Sequence, residues 1–80
     1  MEFHTIKSLT TEDDLIIKVE FTNGNNKHYD IKKLIKKYKK YKNLENIELF
    51  KKGKVDIGGY GIVWNEDLDL SSEEIWNNGY

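Results

Sequence analysis

Residues 31–42, IKKLIKKYKKYK, concentrate the side chains most able to do electrostatic work: seven lysines, two tyrosines, three aliphatics and no acid. At 100° per residue, with Ile31 at zero, Leu34, Ile35, Tyr38 and Tyr41 fall in an arc of roughly 280° to 40°. Lys32, Lys33, Lys36, Lys37, Lys39 and Lys40 fall opposite, at roughly 80° to 240°. The spacing predicts one amphipathic helix with an apolar stripe on a sheet and a six-lysine face in water. Lys42 returns to the apolar arc, so the helix is expected to end near it. Lysine pairs such as Lys32–Lys36 and Lys36–Lys40 repel by about 0.2–0.5 kcal/mol each, and no acid on the helix offsets them. Packing of the stripe must hold it together. A face of this kind can meet an acidic protein surface or track phosphates, or it can simply be the solvated side of a packed helix. Five phosphate contacts would give a log affinity against log salt slope of about −4 to −5. Every basic residue is lysine, whereas arginine is the usual bidentate ligand of phosphate and guanine. With a net charge of −1, that sets nucleic acid behind an acidic protein partner.

Other clusters read as structural. The glycines of DIGGYGIVW lead into a strand and lack the Lys-Ser/Thr of a phosphate-binding loop, so a turn or bulge is expected. Tyr60 at that turn is a candidate partner anchor. NEDLDLSSEE holds Asp67, Asp69, Glu73 and Glu74, but not the spacing, glycine and terminal glutamate of a calcium loop. Asp69 is expected to bond nearby backbone amides. Catalysis lacks its parts: there is no cysteine, His4 and His28 lie on separate segments, and Asp30 and Ser71 are better used as helix caps. No enzyme activity, metal or cofactor is expected. Trp64 reads as core; Trp76, if exposed, is a docking anchor.

The elements that position these residues follow from pattern. Eighty residues make one small domain, 1–80, with a thin core. DLIIKVEFTNG alternates, with Leu15, Ile17, Val19 and Phe21 on one face and Lys18, Glu20 and Thr22 on the other, which predicts a half-buried strand. A three-residue loop over residues 22–24 would pair Ile17 with Tyr29 and Leu15 with Ile31, keeping the faces matched, with Gly24 left-handed. On the return strand His28 is expected to face outward, exposed. Phe3, Ile6 and Leu9 suggest an earlier strand. Asp30 reads as an N-cap with Tyr29 and Leu34 as a hydrophobic staple. NIELFKK reads as a short helix capped by Asn46, and KVDI and GIVWN as strands joined through GGYG. LSSEEIWNNG reads as a final helix, with Ser71 and Glu74 as a capping box, Leu70 and Ile75 as a staple and Gly79 as its stop. The expected fold is α+β in the order β-β-β-α-α-β-β-α, an antiparallel sheet packed by the lysine-rich helix. No apolar run approaches a membrane span and no leader opens the chain, so a soluble cytoplasmic domain is expected.

Charge is unevenly spread: residues 27–54 carry +8, residues 55–80 carry −6 and residues 1–26 carry −3. That asymmetry points to an electrostatic partner or to self-association.

The order of VEFTNG, YDI, LF, KVDIGGYGIVW and WNEDLDLSSEEIW resembles a bacterial family, "domain of unknown function 2442". The matching places are Phe21, Asn23 and Gly24; Tyr29 and Asp30; Trp64; and Asp69, Leu70, Ser71, Ile75 and Trp76. The chain departs where the family often has Pro-Asn-Gly, here Asn65, Glu66 and Asp67, and in its longer, lysine-rich first helix. The resemblance implies the α+β fold and brings no catalytic residues. Such genes often look like members of two-gene cassettes, some read as toxin–antitoxin pairs. Some relatives carry an added helix-turn-helix domain, which is not expected here. The resulting expectation is a protein-interaction or accessory module, antitoxin-like in role; the alternative is a nonspecific nucleic-acid binder using the six lysines.

Overall fold

The computed structural model describes residues 3–80. Alternation in the first third builds an antiparallel sheet of β1 (Ile6–Glu12), β2 (Ile16–Phe21) and β3 (Asn26–Asp30), in that spatial order. Ile17, Val19 and Phe21 are buried while Lys18 is exposed, so β2 has one dry and one wet face. The register is the one that parity favours: Ile17 pairs with Tyr29. The loop is closed by Gly24 N–H donating to Phe21 O (2.9 Å) and Phe21 N–H donating to Asn25 O (2.8 Å), with Gly24 at φ +91°.

The expected Leu15–Ile31 pair does not form. The ladder ends at Ile16–Asp30, and Asp14 and Leu15 both adopt positive φ, +64° and +57°. Glu12 pairs with Ile16, so only residues 13–15 remain to reverse the chain. A left-handed conformation costs a side-chain-bearing residue about 1–2 kcal/mol. Packing of half-buried Leu15 against the core offsets part of that cost.

Asp30 caps α1 (Ile31–Lys37) by accepting from Lys32 N–H at 2.9 Å, and its staple residues Tyr29 and Leu34 are both buried. The helix expected over 31–42 stops at Lys37. Tyr38 is extended (φ −134°, ψ 113°), and Lys39–Glu45 form a 3-10 segment. The break lets Tyr41 turn inward, so that its hydroxyl donates to Asp69 O at 2.7 Å, and lets Leu44 bury completely. Tyr38, expected on the core side, is instead 48% exposed. A lysine-rich helix without compensating acids is inexpensive to interrupt, and two buried side chains outweigh one lost turn.

Asn46 caps the short α2 (Ile47–Phe50). A second antiparallel sheet follows: β4 (Lys54–Val55), β5 (Gly61–Asn65) and β6 (Leu68–Ser71), in that order. The strands thus form two three-stranded sheets, and β6 adds to the expected order. Asn65 Oδ1 accepts from Asp67 N–H (2.9 Å) and Leu68 N–H (3.0 Å), closing the turn where the resemblance departs from Pro-Asn-Gly. Leu68 and Leu70 are then buried with Asp69 outward between them, its side chain exposed rather than bonded to backbone amides.

In α3 (Ser72–Asn78), Ser71 Oγ accepts from Glu74 N–H at 3.1 Å, and Leu70 and Ile75 are buried. The reciprocal half of the capping box is absent because the Glu74 carboxylate accepts from the Tyr29 hydroxyl instead, at 2.9 Å. Gly79 ends the helix, donating to Ile75 O, but at φ −79° rather than left-handed. Beyond it, Tyr80 and His28 exchange two backbone hydrogen bonds of 2.9 Å, and their rings stack at 5.4 Å. His28 is therefore half-buried rather than exposed.

The two sheets share a core running from Ile17, Val19 and Phe21 through Leu34 and Leu44 to Ile62, Trp64 and Ile75. Trp64 is buried as expected, and its Nε1–H donates to Phe50 O at 3.1 Å.

Candidate functional site: a lysine-rimmed groove

Because α1 ends at Lys37 and the chain turns inward at Tyr41, a groove opens between α1, residues 38–41 and α3. It consists of two concavities of about 350 and 230 Å3 that share Leu34 and Glu74. Buried Leu34, Tyr41, Leu70 and Tyr29 form its floor. Exposed Lys33, Lys37, Lys40 and Tyr38 stand on one rim, and Asp69, Asn78 and Tyr80 on the other. The Lys37 and Lys40 ammonium groups lie 5.6 and 5.2 Å from the Tyr38 and Tyr41 ring centres, so each cation rides on a phenol face.

Glu74 marks the middle of the floor. Burial, and then its bond to Glu74, hold the Tyr29 phenol well above the ordinary tyrosine value, which keeps it a neutral donor. Tyr41 is raised too, first by burial and then by the nearby Asp69 charge. The groove can therefore offer cations to carboxylates or phosphates, an apolar floor to a side chain, and the Glu74 carboxylate to a donor.

The six lysines do not act as one face. Lys32 is only partly exposed: its Nζ lies 3.1 Å from Asp14 Oδ2 and 3.0 Å from Asp30 Oδ1, and it also donates to Asp14 O. Burial tends to raise the Asp30 carboxyl, but its bonds to Lys32 outweigh that and leave it below the usual carboxylate value. Lys32 thus ties the 13–15 turn to the start of α1, with its charge already paired to two carboxylates. Lys33, Lys36, Lys37, Lys39 and Lys40 are exposed and have no ion-pair partner among the described residues. Lys36 and Lys39 stand outside the groove lining.

Trp76 does not form a free anchor. It is half-buried, with the His4 ring stacked on it at 3.9 Å and 11°, Phe21 edge-on at 5.0 Å and Lys27 Nζ at 5.1 Å. His4 donates its backbone N–H to Glu73 Oε2 at 2.7 Å and places Nδ1 3.1 Å from the same carboxylate. The backbone bond first, and the ring contact second, hold Glu73 below its ordinary value of 4.5. A carboxylate depressed on folding contributes stability above the unfolded value, and that contribution disappears as pH falls through the folded one. Stability measured by urea titration is therefore expected to decline below about pH 4.5. Glu73→Gln should be less stable near neutrality and show a flatter decline; an unchanged acid limb would contradict this.

Tyr60 is exposed, as expected, and packs against a single neighbouring ring. It is 56% exposed, with Phe3 edge-on at 5.9 Å, and Ile57 in the same turn is 93% exposed. Ile57 was not singled out in the sequence, although an aliphatic between Asp56 and Gly58 in a turn cannot easily point inward.

The architecture defines a small α+β domain with two antiparallel sheets and a basic, aromatic-lined surface groove. A family model described as "Protein of unknown function (DUF2442)" matches residues 6–80. The chain belongs to that family, in agreement with the resemblance carried by its motifs. Comparison with curated proteins and with solved structures finds no match.

Proposed function

We propose that this domain is a non-enzymatic protein-interaction module whose groove between α1 and α3 receives an acidic segment of a cytoplasmic partner, as the neutralising member of a two-gene pair would. The carrying observation is the row of exposed Lys33, Lys37 and Lys40, without an ion-pair partner among the described residues, above an apolar floor. Lysines already neutralised inside the molecule attract nothing; these three keep their charge for a partner. The apolar floor supplies the desolvated contact that gives such a surface affinity beyond steering.

Titration with a fluorescent glutamate-rich peptide tests this. Binding is expected at low salt, weakening with added salt, and at least about tenfold weaker in the K33E/K37E/K40E protein, which matches about 1.4 kcal/mol. Lys32→Ala should leave peptide binding within about twofold while lowering the urea midpoint. Equal losses from Lys32→Ala and the triple variant would reject the groove as the docking surface.

A second reading has one specific support. Tyr38 emerges among lysines, and an exposed aromatic with flanking cations is a stacking platform for single-stranded nucleic acid. Single-stranded and duplex oligonucleotides titrated at the same salt concentrations separate the two readings. Oligonucleotide binding without peptide binding would favour this second one, with a duplex salt slope of about −4.5 if all five free lysines touched phosphate. Absence of both at low salt would overturn both.

A further inference from the structure

Ile57 is the most exposed large apolar side chain among the described residues, at 93%. It does not sit on a loose loop. Asp56 Oδ1 accepts from Ile57 N–H at 2.8 Å, Gly59 N–H donates to Asp56 O at 2.9 Å, and Asp56 N–H donates to Gly61 O at 2.9 Å. Gly59 lies directly against the Ile6 backbone, which anchors the turn to β1. Tyr60 ends the same turn, packed edge-on against Phe3, and both are more than half exposed. The turn is thus a pre-ordered apolar knob with an acid, Asp56, at its base. A rigid knob loses little conformational freedom on docking.

The geometry points to a second copy of this chain as its receptor: the 56–60 turn of one molecule seats in the groove between α1 and α3 of the next, Ile57 on the Leu34–Tyr41 floor and Asp56 beside Lys37 and Lys40. The inference rests on the same groove as the proposed function and adds an occupant for it. Three observations select a copy of the chain over a foreign knob. The wider concavity, about 350 Å3, has room for an isoleucine side chain and part of a tyrosine ring. The acid at the knob complements the unpaired lysines at the rim. A net charge of −1 leaves little long-range repulsion between copies.

Knob and groove share no residue, so the contact is head-to-tail, and each added copy leaves one knob and one groove free. A contact confined to one five-residue turn belongs to the weak, transient class, below roughly 1,200 Å2 of buried surface. An acidic partner in the groove would displace the neighbouring copy, so self-association would hold the docking surface closed until the partner arrives.

Sedimentation equilibrium of the whole chain from about 10 μM to about 1 mM reads this directly. The weight-average mass should rise with concentration, and fall back when the glutamate-rich peptide is added. I57D, whose side chain lies in solvent, and K37E/K40E should each stay monomeric when alone. Mixed in equal amounts they should pair, because one keeps an intact groove and the other an intact knob, and the mass should level off at twice the monomer. Far-ultraviolet circular dichroism confirms that both variants fold. A monomeric parent across the range, an I57D protein that associates like the parent, or a mixture that stays monomeric would each overturn the inference. If the parent stays monomeric but binds the peptide, only the self-association falls. If it associates but does not bind the peptide, the proposed partner docking falls instead.

Discussion

Replacing Gly59 with alanine should leave much of the protein unfolded. Gly59 is buried at φ +79°, and a Cβ there would stand 2.6 Å from Ile6 O and 2.9 Å from Ile6 N. Both clashing atoms are backbone atoms of β1, and Ile6 is itself held by its pairing with Phe21, so no side chain can swing aside. The left-handed conformation costs about 1–2 kcal/mol and the overpacking about 1–3, for a total of about 2–5 kcal/mol. A domain this small has a total stability near the low end of about 5–15 kcal/mol. Urea denaturation should show a midpoint lowered by about 2 M or more, or no folded baseline. Gly24→Ala is the control. That residue is also left-handed, at φ +91°, but no atom lies within 4 Å of its added Cβ. It should lose only the conformational part, about 1–2 kcal/mol. Equal losses at the two sites would mean that close approach of the 57–59 turn to β1 is not what holds the two sheets together.

Trp64→Ala should be comparably severe, at about 3–5 kcal/mol. Trp64 is 6% exposed on β5, and its indole N–H reaches across to the carbonyl of Phe50 at the end of α2. One residue therefore fills the core of the second sheet and satisfies a helix-end carbonyl. Gly53 lies under the same ring, where a Cβ would come within 2.6 Å of Nε1, so the chain between α2 and β4 is shaped to the indole. Trp64→Phe separates the two roles. It keeps most of the apolar volume and removes one of the two donors to the Phe50 carbonyl, leaving Gly53 N–H at 3.3 Å, a loss of about 0.5–1.5 kcal/mol. Near-ultraviolet circular dichroism and urea denaturation would report both variants. A phenylalanine variant as stable as the parent would place the weight on packing alone.

The two substitutions mark contacts on which the groove depends indirectly. Its floor draws on both sheets: Tyr29 belongs to β3 and Leu70 to β6, and Tyr41 is held by the carbonyl of Asp69 on β6. A variant that loosens one sheet from the other should lose groove binding together with stability. K33E/K37E/K40E should lose binding alone.

Much of the local structure was legible because it depends on neighbours in sequence. Alternation at Ile17, Val19 and Phe21 set the dry face of β2, and parity across the 22–24 loop selected the register before any partner strand was visible. Asp30, Asn46 and Ser71 cap helices since a short oxygen-bearing side chain next to unpaired N–H groups acts over two or three residues. The family motifs follow the same elements. β6 was harder to see: its four residues, with Leu68 and Leu70 inward, are squeezed between an Asn65 turn and a helix cap, too short for periodicity to register.

Short-range pattern was enough for the α+β class, the β2–β3 hairpin, the caps, and the sorting of basic charge to the middle of the chain and acidic charge to its end. Which lysines lack an ion-pair partner among the described residues, and where they stand, depends on the folded chain. Helical periodicity runs through Tyr38 without interruption, but the chain breaks there so that Tyr41 can reach Asp69 and Leu44 can bury, contacts 28 residues away in one case. Lys32 is spent on Asp14 and Asp30, although Asp14 lies eighteen residues earlier on another turn. The physical reason is one of range. Capping and alternation are settled by backbone geometry within a few residues, while the interruption of a helix and the pairing of a charge are settled by whatever the folded chain brings alongside.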